Sequence, residues 1–106
     1  MTQAELYAAL AATGLSVVYG HWPVKPGPPS PPYITYRFSA SDDFIADNHN
    51  YAAFKEFDVE LYAKLPDAAS EALIETVFTT NRIPYEKTEL WIESEELYMT
   101  LYQITI

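Results

Sequence analysis

Apolar positions recur along this chain in two periods, one helical and one of strict alternation. Near the start, Leu6 and Leu10 share one helical face with Ala9 beside them. Thr2 followed three residues later by Glu5 forms a capping box, and Gly14 supplies a left-handed stop. So short a helix is marginal alone and must pack on something. Residues 15–21, rich in Val and Tyr, read as a short strand. Over 33–40, Ile34, Tyr36 and Phe38 alternate with Tyr33, Thr35, Arg37 and Ser39. The alternation returns over 51–64, where Phe57, Val59, Leu61 and Ala63 form one face and Glu56, Asp58, Glu60 and Tyr62 the other. That pattern predicts a sheet buried on one side only. Pro66 and Asp67 open a second helix whose stripe is Ala69, Leu73 and Val77 with Ile74 and Phe78, and Pro84 stops it. Residues 85–92 and 97–106 read as two further strands, joined by a hairpin loop at 93–96.

Two stretches carry neither period. Six of the eight prolines fall in 23–32, which reads as an extended, polyproline-like loop. Residues 41–50 are polar and acidic, interrupted by Phe44 and Ile45, and read as an acidic loop with a hydrophobic tip or anchor. The element order is α-β-β-β-α-β-β. Short connections favour antiparallel neighbours. The expected fold is therefore a single α+β domain over 1–106. It has two layers: a mainly antiparallel sheet of about five strands with two helices on one face.

Composition narrows the function. A hydrophobic fraction of 49% and 15% aromatics support a packed core. Fifteen acidic residues against six basic ones give a net charge of −9, which argues against a sequence-independent grip on nucleic acid. The excess is concentrated in 41–106, so one surface is expected to be strongly negative. With no cysteine there is no disulfide, thiolate zinc site or Cys nucleophile. No apolar run approaches a membrane span and no secretory leader is visible, so the chain reads as soluble and intracellular.

Candidate chemistry is sparse. Asp42, Asp43, Asp47 and His49 could offer ligands to a hard cation, but the glycine and terminal glutamate of a calcium loop are missing. A solvated acidic loop is the default, and no metal or cofactor is expected. Glu86, Glu89, Glu93, Glu95 and Glu96 crowd one hairpin, where water rather than an apolar cleft is the expected surrounding for a carboxylate. No serine elbow and no glycine-rich phosphate loop exist, so no catalytic residue is assigned. Pro28, Pro29, Ser30 and Pro31 match the short, common P-x-x-P spacing, but an arm reaching a neighbouring subunit is the stronger reading of the loop. Nine Tyr and two Trp exceed what one small core needs. Aromatics such as Tyr33, Tyr62, Tyr98 and Tyr102, if on the polar faces of the strands, suggest a surface covered by a partner.

A resemblance extends this reading. Leu6 to Leu10, then Thr13-Gly14-Leu15-Ser16-Val17-Val18-Tyr19-Gly20-His21, a proline-bearing loop and Pro32-Tyr33-Ile34-Thr35-Tyr36 resemble small proteins of tailed-phage and prophage structural modules. Asp43-Phe44-Ile45-Ala46-Asp47-Asn48 and Glu86-Lys87-Thr88-Glu89-Leu90-Trp91-Ile92-Glu93-Ser94-Glu95 add to the resemblance. Such proteins are similar to head–tail joining and tail-terminator (tail-completion) proteins. The resemblance implies a non-enzymatic virion component at the tail or neck, assembled in the host cytoplasm as a ring, commonly a hexamer. Its implied partners are other copies of itself, the tail-tube protein and head-completion or connector proteins. DNA would pass through without specific binding, and no membrane is involved. Candidate contacts are Trp22, Pro23, Pro26, Pro28, Pro29, Pro31, Pro32, Phe44 and Ile45. A candidate acidic lumen is formed by Asp42, Asp43, Asp47, Glu93, Glu95 and Glu96. On this view, removing the proline loop should leave the fold intact and weaken assembly. The alternative is a monomeric acidic adaptor or inhibitor, of DNA-mimic type, that binds a basic protein.

Overall fold

The computed structural model describes the backbone of residues 1–46 and 49–106, and the side chains of residues 1–40 and 54–106. Helix α1 (Gln3–Ala11) carries the expected capping box. The Glu5 N–H donates to Thr2 Oγ1 at 3.1 Å, and the Thr2 N–H donates to Glu5 Oε1 at 3.0 Å. Leu6 and Leu10 are its buried residues. Strands β1 (Ser16–Tyr19), β2 (Tyr33–Ala46) and β3 (His49–Ala63) follow. Helix α2 (Ala68–Thr80) then leads to β4 (Tyr85–Ile92) and β5 (Leu97–Thr105). The five strands form one sheet in the order β1-β2-β3-β5-β4, a two-layer α+β fold with the expected succession of elements. No helix among the described residues is long and apolar enough to cross a membrane.

The core lies between the helices and one sheet face. Leu6, Leu10, Ile34, Tyr36, Phe57, Val59, Leu61, Ile74, Phe78, Tyr102 and Ile104 make one buried cluster. Cross-strand register explains it: Ile34 opposes Leu61, Tyr36 opposes Val59, and Val59 in turn opposes Tyr102. The stripe of α2 agrees with expectation at Ile74, Phe78 and the partly buried Val77 and differs at Leu73 and Ser70. Ser70, Ile74 and Phe78 face inward, whereas Leu73 is 45% exposed. Ser70 is held by the cap: Asp67 accepts from the Ser70 N–H at 3.0 Å and from Ser70 Oγ at 2.8 Å. One turn apart, Glu71 and Glu75 then both reach Lys87 on β4, at 2.6 and 2.9 Å. Glu75 also accepts from Tyr102 at 2.8 Å and from Tyr85 at 3.1 Å, so α2 is pinned to two strands.

Three other expectations change. First, β1 and β2 pair in parallel, Ser16 opposite Tyr33 through Tyr19 opposite Tyr36. A parallel pair cannot be closed by a tight turn, because the chain must return to the start of the first strand. The proline loop makes that return journey. It is a strap across the molecule rather than a removable arm, so its excision would break the β1–β2 pairing instead of sparing the fold. Second, residues 41–46 and 49–50 are strand rather than loop. β2 continues to Ala46 and β3 starts at His49, with Ser41 opposite Lys55 and Ala46 opposite His49. A polar ribbon can satisfy its backbone by pairing alone, with no apolar face to reveal it in the sequence. Beyond Lys55, where β5 stops pairing with it and β1 has already ended, this hairpin runs on by about 20 Å. The radius of gyration, 14.9 Å, accordingly exceeds the value of about 13 Å for a compact chain of this size. Third, the sheet is not buried on one side only. Tyr33, Thr35, Glu60 and Met99, on the face away from the helices, are buried too.

Candidate binding groove

The strap buries part of that second face. Gly20 leaves β1 with a left-handed φ of 79°, and its N–H still donates to Tyr36 O at 2.8 Å. The chain then turns back, and Trp22 packs edge-on against Tyr33, with ring centroids 5.8 Å apart. Tyr33 opposes Tyr62 in the β2–β3 register, and the two rings stack at 5.2 Å with 23° between their planes. Here β5 carries no aromatic cover. Tyr98 and Tyr102 lie on the helix face instead, with Tyr102 in the core, so the two-sided aromatic pattern of the sequence reduces to Tyr33 and Tyr62 under the chain's own strap.

Beneath these rings is a polar network. Tyr62 donates its hydroxyl proton to Glu60 Oε2 at 2.6 Å, and Thr35 Oγ1 donates to the same oxygen at 3.3 Å. Arg37 approaches Asp58 at 3.4 Å and Glu60 at 3.6 Å. Desolvation first, and then the bond to Glu60, push the Tyr62 phenol well above its ordinary range. Burial raises Tyr33 as well, and Glu95 adds to the rise at both phenols. Glu95 comes from the β4–β5 turn, which Glu96 closes with a left-handed φ of 53°. The result is a groove of about 190 Å³ between strap and turn, lined by Gly20, His21, Trp22, Pro28, Tyr33, Thr35, Tyr62 and Glu95. The Trp22 indole N–H is sealed from solvent there and has no acceptor among the described residues.

The residues singled out from the sequence fall in different places. Trp22 and Pro28, taken as contacts, and Glu95, taken as a lumen acid, converge on this one groove. Pro23 and Pro26 stand exposed at the strap's tip beside Val24, which is 93% exposed, while Pro29, Pro31 and Pro32 are half-buried. Glu93 and Glu96 are exposed in the β4–β5 turn. The backbone of Asp42, Asp43, Phe44 and Ile45 belongs to the hairpin arm, and their side chains, with all of Asp47, lie outside the described residues. The two acidic groups are not neighbours: the β4–β5 turn and the arm sit at opposite ends of the sheet. Among the described residues no three His, Asp or Glu side chains gather as a metal site, while the side chains of Asp42, Asp43 and His49 and all of Asp47 lie outside that description. The glutamates of the β4–β5 hairpin are all exposed. Sequence reasoning gave no role to Thr35 and Glu60, which complete the groove's floor. Their signal was present only as polar positions on strongly alternating strands.

Two further surfaces bear on assembly. Strand β4 is a sheet edge of eight residues, exposed from Tyr85 to Trp91, with Leu90 44% and Trp91 50% exposed. Nothing described covers it, although Glu86, Lys87 and Glu89 blunt it with charge. The arm presents Phe38 and Phe54, both nearly half exposed, at its root.

No protein-family model matches the chain. No curated protein sequence matches it either. Among solved structures, a chain from the virion of a native gene transfer agent (GTA) particle shares the fold. It superposes with a TM-score of 0.56 at 16% identity, over 92% of this chain and 84% of that one. At that identity the likeness is one of fold.

Proposed function

We propose that this protein is a non-enzymatic structural component of a phage-like virion. In this reading it forms a ring at the neck, where it caps the tail tube and connects it to the head. The observation that carries the proposal is the shared fold with a chain of the gene transfer agent virion, over nearly the whole of this chain. Surface anatomy supports it. A closed ring needs two different, complementary surfaces on each subunit. The uncovered β4 edge and the projecting β2–β3 arm offer two such surfaces, one along the side of the sheet and one beyond the ends of its strands. In this reading the arm and the strap's tip, Pro23 and Pro26, contact neighbouring copies, the tail-tube protein or head-completion proteins.

The acidic residues keep a role in modified form. A channel parallel to the strands would place Glu93, Glu95 and Glu96 near one mouth and the acids of the arm near the other. Negative mouths would let DNA pass without sticking. The test is to mix the purified protein with polymerised tail-tube protein and image the tubes. Tubes capped at one end by a ring support the reading. Bare tubes, with the protein left as free monomer, overturn it and favour the acidic adaptor.

A further inference from the structure

We propose that the groove beneath the strap receives one cationic side chain, a lysine or arginine carried by a partner protein. Its volume, about 190 Å³, suits a single side chain and falls below the range of small-molecule pockets, about 300–1,000 Å³. Trp22, Tyr33 and Tyr62 supply its aromatic walls, and aromatic ring faces attract cations. Glu95 adds a full negative charge to the lining, and no lysine or arginine lines the groove. The Tyr62 hydroxyl spends its proton on Glu60, which leaves its oxygen lone pairs free to accept from an entering ammonium or guanidinium.

Charge selects the source of that side chain. With fifteen acids against six bases, a second copy would bring a negative surface against a negative one, whereas a basic partner is complementary. The inference rests on the groove and does not require the ring.

The experiment uses the full chain carrying Trp91→Phe, which leaves Trp22 as its single indole. Its emission is followed while N-acetyl-L-argininamide, N-acetyl-L-lysinamide or the neutral N-acetyl-L-norleucinamide is added. The expected result is a saturable response to both cationic amides with a Kd in the millimolar range, and none to the neutral one. Glu95→Gln should weaken binding about five-fold, whereas Glu93→Gln, in the same turn but outside the groove, should not. An equal response to norleucinamide, or equal binding by the two glutamate variants, would overturn the proposal. So would an emission change that follows the protein's own concentration without any amide and is lost in Glu95→Gln, because the groove's occupant would then be a second copy. Particle mass, recorded on the same samples, tests the ring separately.

Discussion

Glu60 is the charge on which the floor of the groove depends. It is only 9% exposed, on the sheet face away from the helices, and one of its oxygens accepts from both Tyr62 and Thr35. In Glu60→Ala both hydroxyls lose that acceptor. The 2.6 Å bond from Tyr62 is short and charge-assisted, and orphaning a buried hydroxyl costs about 1–3 kcal/mol. The Thr35 bond is long and contributes less. Arg37, with a side chain 60% exposed, contributes little through its ion pairs. Removing a poorly solvated carboxylate returns part of the loss. The net destabilisation is about 2 kcal/mol, or roughly 10 °C in Tm for a domain of this size. Urea and thermal unfolding of Glu60→Ala, Tyr62→Phe and the double variant measure it as a cycle. The predicted coupling is about 1 kcal/mol, because Tyr62→Phe removes the hydroxyl that Glu60→Ala would strand. A single-variant cost below about 0.5 kcal/mol, or strictly additive losses, would refute the reasoning.

Three further outcomes are expected. Bonds from Ser70 hold Asp67 below the usual carboxylate range, and Lys87, Tyr102 and Tyr85 do the same for Glu75 despite some burial. For groups depressed in the folded state, the stabilisation is present above their unfolded pKa of about 4 and is lost as pH falls through the folded value. Acid titration of stability should therefore show a limb below about pH 4 that is shallower in Glu75→Gln. Replacing 23–31 by a short glycine linker should abolish cooperative unfolding, because β1 could no longer lie parallel to β2; a normal unfolding transition would contradict the crossover role. Leu90→Glu with Trp91→Lys on the exposed β4 edge should leave the monomer folded by circular dichroism but stop assembly; rings of normal size would remove β4 from the interface.

Local patterns carried much of the fold. Thr2 and Glu5 announced α1, and the 57/59/61/63 alternation announced the core face of β3. The β4–β5 hairpin was legible because two runs rich in aromatic, β-branched and other apolar residues flank four polar turn residues. What stayed hidden depends on contacts distant in sequence. Nothing near residues 16–19 distinguishes a hairpin partner from a parallel one; the long, proline-rich return path was the clue, and it also fits a free arm. The polar arm of β2 and β3 carries no apolar alternation, so composition alone suggested a loop. On α2, Ile74 and Phe78 of the expected stripe are core and Val77 packs against it, whereas Leu73 faces out and Ser70 faces in. The groove was the least legible feature, because Trp22, Tyr33, Tyr62 and Glu95 come from four segments that only the 33–62 register and the strap bring together.

The most direct test of the ring is solution mass, by light scattering on a size-exclusion column, for the protein alone and with tail-tube protein. The account predicts a discrete mass several times that of the chain, formed alone or on meeting the tube protein. A monomer that stays a monomer in both cases would contradict it.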